Sequence, residues 1–171
     1  HYGRLHRVDP TIVAIVTLVE SGGWTRAHSP SGARGLMQVM PSTAAIIAAE
    51  RSLPGHGRDK LFEPAYSVDL GAWYLARQLE TFGTGEREGS VALAAAAYNG
   101  GPGRLRRHLD HGEELSDQTE RYVHWVRSMW RDRHLSESEA YKTWYEAGGH
   151  RLVERARAEM RSSRPIPAEP K

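Results

Sequence analysis

DPTIVAIVTLVESGG, residues 9–23, sets the character of the whole chain. Asp9-Pro10 reads as a helix cap followed by a first-turn proline, where the missing N–H costs nothing. Thr11 to Val19 is apolar nearly all round, which is the pattern of a buried helix. Gly22-Gly23 ends it with residues that accept a left-handed backbone. Ile12, Val16 and Glu20 recur at i, i+4 and i+8 and so share one face. A carboxyl at the end of an apolar stripe is desolvated, which disfavours its charged form and raises its pKa. Such a group suits general acid chemistry near neutral pH. A solvated glutamate on a last helical turn fits the same pattern, and most glutamates are of that kind. The spacing alone leaves both readings open.

Working outward, WTRAHSPSGARG (24–35) is a loop rich in turn formers. GLMQVM (35–40) then follows, too apolar for an exposed loop, with one amide, Gln38, in its middle. A buried amide must find partners. Gln38 either lines a cleft, where its donors and acceptor suit hydroxyl or N-acetyl groups, or ties its own loop to backbone. Met40 is either a cleft wall or a core methionine. In AAAAYNGGPGRL, Tyr98 and Asn99 stand where an alanine helix meets a glycine turn. They either project into a cavity or serve as a core aromatic and a helix cap. Tyr122, in TERYVHWV, either reaches the same cleft or is an ordinary aromatic of an amphipathic helix.

The rest of the chain is also helical in pattern, and no stretch alternates like a strand. Helices are expected after Pro41 (STAAIIAAERS) and after Pro64 (AYSVDLGAWYLARQLETF). Ser90 is expected to cap VALAAAAY, with GTGEREGS before it as a loop. LRRHLDHG and SDQTERYVHWVRSMWRDRHL follow, then one continuous amphipathic helix from Ser136 to Arg161. The tail SSRPIPAEPK is proline-rich, a composition that favours mobility.

With 171 residues, 39% of them hydrophobic and 26% charged, the chain suits one globular domain with a real core. No apolar run approaches the roughly 20 residues of a membrane helix. There is no cysteine, which excludes disulfides and thiolate metal sites. The net charge is only +2, mostly from arginine, and a mildly basic surface is a weak pointer to an anionic polymer. His108 and His111 lie near Asp110, but no third ligand stands at a matching spacing, so no metal is expected. GTGEREG follows a helix rather than a strand, so no dinucleotide cofactor is expected. RLRRH is read as a solvated helix face, and no nucleic-acid partner is expected.

Four segments in order carry a resemblance: ESGGWTRAHSPSGARGLMQVMPSTA (20–44), LFEPAYSVDLGAWYLARQLETFG (61–83), LAAAAYNGGPGRLRRHL (93–109) and TERYVHWV (119–126). Together they resemble the lytic transglycosylases of the soluble, goose-lysozyme-like type (glycoside hydrolase family 23), from about Val8 to Trp130. The resemblance implies a mainly α, lysozyme-like domain with a glycan-binding cleft over residues 1–134, followed by a C-terminal helical extension and tail over 135–171. It implies cleavage of the β-1,4 bond between N-acetylmuramic acid and N-acetylglucosamine in peptidoglycan, with a 1,6-anhydro product. Glu20, before Ser21, takes the place of the family's catalytic glutamate. Ser29, Gln38, Met40, Tyr98, Asn99 and Tyr122 fall on positions that line or shape its cleft.

This chain departs from the family pattern at Gly100, where alanine is usual, at Gln118, where an acid is common, and around Trp24. The resemblance also implies a periplasmic or envelope location and peptidoglycan strands as partner. The C-terminal helix either packs on the domain or docks an envelope or secretion-machinery protein. A hydrolase of the same bond and a non-catalytic glycan-binding module are the competing readings.

Overall fold

The computed structural model describes residues 1–163, and the proline-rich tail from 164 onward lies outside them. Among the described residues nine α-helices run in chain order: α1 (Tyr2–Leu5), α2 (Pro10–Ser21), α3 (Pro41–Glu50), α4 (Pro64–Phe82), α5 (Arg87–Gly100), α6 (Pro102–His111), α7 (Asp117–Asp132), α8 (Glu139–Trp144) and α9 (His150–Ser162). Among the described residues there is no strand. Two isolated bridges, His28 with Arg34 and Arg34 with Val39, pin the long loop between α2 and α3. The mainly helical class expected from the sequence is what the chain adopts.

The local signals act as physics requires. Asp9 Oδ1 accepts from the Thr11 amide at 2.8 Å at the start of α2, and Gly22 ends that helix at φ 61°. Ser116 caps α7 through the Thr119 amide. Helix α5 occupies the middle of the fold, against α4, α6 and α7. Ala94, Ala95, Ala96 and Ala97 are all buried, and their small side chains let the neighbouring helices approach closely. Val16, Met37, Leu70, Leu75 and Val126 complete the core between α2, the GLMQVM loop, α4 and α7.

That loop is driven inward by two close approaches. A Cβ on Gly35 would overlap the Leu61 carbonyl, and φ there is +75°. A Cβ on Gly71 would lie 2.5 Å from the Met37 side chain, so the glycine on α4 opens the slot that Met37 fills completely.

Two expectations are corrected. Ser90 does not cap α5: the helix begins three residues earlier, and the Ser90 hydroxyl turns back to the Thr84 and Glu86 carbonyls. Nor is the stretch from Ser136 to Arg161 one helix. It breaks into α8, a wide turn over Tyr145–Gly149 and α9, because Gly148 sits at φ 127°, outside any helical geometry. Trp144 and Val153, on either side of the break, both belong to the main core.

Candidate active site

Glu20 is the last but one residue of α2, half-buried, with its carboxyl unpaired by any hydrogen bond among the described residues. Burial raises its pKa from 4.5 to about 8, and the Tyr122 hydroxyl beside it opposes part of that rise. The contact between the two falls short of a well-formed hydrogen bond, for the buried Tyr122 oxygen has no partner. Tyr98 is buried too, and Glu20 acts on both phenols: burial first, then the carboxylate charge, pushes each well above its usual value. No second carboxylate contributes to the shift at Glu20. The acid therefore faces two neutral phenols in an apolar setting.

Tyr98 links this acid to a cavity. Its hydroxyl donates to the Met37 carbonyl at 2.8 Å, and its ring packs on Tyr74 with centroids 5.3 Å apart. A cavity of about 190 Å³ opens beside it, lined by Gln38, Met40, Thr43, Tyr74, Tyr98 and Asn99 among others. Four residues singled out in the sequence, Gln38, Met40, Tyr98 and Asn99, thus meet on one wall. Met40 is 38% exposed and lines that cavity.

Gln38 does two things at once. Its amide nitrogen donates to the Ala27 carbonyl at 3.0 Å and to the Gly35 carbonyl at 2.8 Å, which closes the loop on itself. Its backbone is held at φ +47°. Both amide donors are thereby spent on backbone, and the carbonyl oxygen is what remains for a ligand. Asn99 accepts from the Thr119 hydroxyl at 3.1 Å and so joins α5 to α7. A Cβ on Gly100 would sit 3.0 Å from that same hydroxyl, a tight contact that glycine avoids. Ser29 stands apart. Its hydroxyl and amide both pair with Ala33, so it braces the loop, and nothing brings it to the cavity.

Tyr74 and Thr43 were not singled out from the sequence. Tyr74 carries no polar signal within LGAWYLARQ, since an aromatic on an apolar stripe reads as core. His108 is engaged by the Glu113 carbonyl at 2.7 Å, and no group of three His, Asp or Glu converges among the described residues.

The transglycosylase SLT domain family matches residues 2–120. The chain belongs to that family. Among relatives of this SLT domain, the soluble lytic murein transglycosylase of Salmonella typhimurium is 35% identical over 109 residues, covering 63% of this chain and 16% of that protein. The transglycosylase of enterobacteria phage PRD1 is 38% identical over 96 residues, covering 56% of this chain and 31% of its own.

Two solved structures share the fold. One is an inactive glutamate-to-glutamine mutant of the lytic transglycosylase Slt from Pseudomonas aeruginosa (TM-score 0.65, 28% identity, 81% of this chain and 24% of that one). The other is the 70-kDa soluble lytic transglycosylase in complex with bulgecin A (TM-score 0.66, 26% identity, 80% and 24%). The SLT domain chain thus spans about a sixth of the Salmonella protein and about a quarter of each solved relative.

Proposed function

We propose that this chain is a peptidoglycan lytic transglycosylase domain that uses Glu20 twice, first as acid and then as base. The observation that carries the reading is a single unpaired carboxyl, protonated near neutral pH because it is buried, with no second carboxylate acting on it. Two-carboxylate glycosidases need a partner acid at a set distance, and its charge would raise the pKa of Glu20 further. Family membership supports the reaction class, and the relatives are named for it.

In this scheme protonated Glu20 gives its proton to the glycosidic oxygen as the C1–O bond breaks. The resulting carboxylate then takes the proton of the C6 hydroxyl on the same muramic acid ring as that oxygen closes on C1. Bond and proton counts balance, and the enzyme ends as it began. The product is the 1,6-anhydro sugar. The tethered hydroxyl outcompetes water because its attack is intramolecular.

Tyr122, with its free hydroxyl beside Glu20, is assigned to the substrate's N-acetyl group. The Gln38 carbonyl, Met40, Tyr98 and Asn99 form the wall that a neighbouring sugar meets. Ser29 holds the loop. Residues 1–134 are taken as the catalytic unit and 135–171 as its C-terminal extension. The substrate sets the location, at the cell envelope.

Product analysis decides it. Purified peptidoglycan digested with the wild-type chain is expected to yield anhydro ends, lighter by one water than hydrolysed ends, and none with Glu20→Gln. Hydrolysed ends alone would make the protein a hydrolase. Lysis that survives Glu20→Gln would remove the glutamate from the mechanism.

A further inference from the structure

The loop that leaves Glu20 is gripped by a helix that lies outside the matched family segment. A Cβ on Gly22 would stand 2.7 Å from both Leu152 Cβ and the Val153 amide nitrogen, and Gly23 faces Ala156 at 3.8 Å. One residue on, the Arg155 guanidinium covers the Trp24 ring at 4.9 Å. Next, Glu159 takes both donors of Thr25: the amide at 3.0 Å and the hydroxyl at 2.7 Å. Four successive loop residues therefore meet one face of α9 at Leu152, Arg155, Ala156 and Glu159, positions spaced for a single helical stripe.

The grip reaches the site in both directions. Backwards, the Trp24 amide donates to the Ser21 carbonyl at 3.0 Å, and buried Ser21 is the residue after Glu20. Forwards, the Ala27 amide donates to the Trp24 carbonyl at 3.3 Å. The Ala27 carbonyl in turn accepts from the Gly35 amide at 2.8 Å and from the Gln38 side chain at 3.0 Å. Backbone and hydrogen bonds thus connect Glu159 through residues 24–27 to the cavity wall on one side and to Ser21, next to Glu20, on the other.

We infer that Glu159 is a positioning residue for catalysis, clamping the 22–27 loop so that the Glu20 carboxyl and the Gln38 wall keep their places relative to each other. It touches no reacting atom. A two-point carboxylate contact to one threonine fixes the loop in distance and in direction, which a single hydrogen bond does not. An acid displaced by even about 1 Å costs on the order of a hundredfold in rate at worst. The inference rests on the catalytic reading given above, and its test also has a readout that needs no activity.

The full chain is compared with Glu159→Ala, Glu159→Gln and Thr25→Val, all confirmed as folded by circular dichroism. On soluble glycan strands, Glu159→Ala is expected to lower kcat about tenfold, and Thr25→Val, which keeps the amide contact, by less, with KM within about threefold in both. The double variant should be no worse than Glu159→Ala alone, because Thr25→Val removes only the hydroxyl half of a contact that Glu159→Ala removes whole. Glu159→Gln, which keeps one acceptor, should recover part of the loss.

Independently of turnover, the Glu20 carboxyl is titrated by carbon-13 NMR. Loosening the loop admits water, so Glu159→Ala should bring its pKa down from about 8 toward the ordinary glutamate range. An unmoved titration in a folded Glu159→Ala variant overturns the clamp whether or not the chain is active. So does a kcat equal to wild type. An inactive wild type whose Glu20 titration still moves leaves the clamp standing and removes the catalytic reading instead.

Discussion

Replacing Glu20 by glutamine should stabilise the fold, and the gain should appear only as pH rises. The burial that raises Glu20 from 4.5 to about 8 means the folded chain holds this proton more tightly than the unfolded chain does. Below pH 4.5 the carboxyl is neutral in both states and costs nothing extra. Between 4.5 and 8 the unfolded chain gives up its proton while the folded one keeps it, so stability drains away as pH increases. Each unit of pKa is worth about 1.4 kcal/mol, so the whole window corresponds to roughly 5 kcal/mol. About two thirds of that is already lost at pH 7.

Glutamine keeps the shape of the neutral acid and cannot ionise, so Glu20→Gln escapes this loss. In a domain of this size about 1 kcal/mol moves the melting temperature by roughly 2–4 °C. The variant and the wild type should therefore melt together at pH 4 and separate by on the order of 10 °C at pH 9.5. Paired thermal unfolding curves across that range read the difference directly, because every other titrating group is common to both proteins and cancels. A melting difference that stays flat with pH refutes the assignment of a raised pKa to Glu20, and with it the case for this residue as an acid near neutrality.

Two further substitutions separate ligand contacts from architecture. Tyr122→Phe removes a buried hydroxyl without a partner, so stability should hold or rise by about 1 kcal/mol, while loss of the hydroxyl that favours the carboxylate should push the alkaline limb of the pH–rate profile upward. A clear drop in melting temperature would mean that hydroxyl has a structural partner after all. Gln38→Ala removes the two side-chain hydrogen bonds to the Ala27 and Gly35 carbonyls and should cost about 1–3 kcal/mol in urea unfolding without ligand, in addition to any loss of glycan affinity. Unchanged stability with lost affinity would assign the amide to sugar rather than to the loop.

What could be read in advance follows a physical division. Helix α2 was legible because Asp9, Pro10, the apolar run and Gly22 are neighbours in sequence and all act on the same few backbone groups. The position of Glu20 on a buried stripe was legible for the same reason, since helical spacing fixes which side chains share a face. The break at Gly148 was equally available, because Gly148-Gly149 repeats the stop signal of Gly22-Gly23. Amphipathic spacing continues on both sides of it and by itself points to one helix.

Other features had no local signature. Whether Gln38 met sugar or backbone depended on where the loop placed the carbonyls of Ala27 and Gly35, and only the closed loop decides that. Tyr74 looked like core until the neighbouring cavity gave its ring a second face. Thr25 and Glu159 are 134 residues apart, so no window of sequence holds both.

The same division explains why the acid is better defined than the binding wall. A carboxyl's protonation answers to how much water it loses, which one buried helix end nearly determines. Binding answers to the direction of lone pairs supplied by three or four separate segments. The clamp from α9 lies between these cases: its residues are ordinary taken singly, and their effect on Glu20 exists only because a distant helix closes over the loop that follows it.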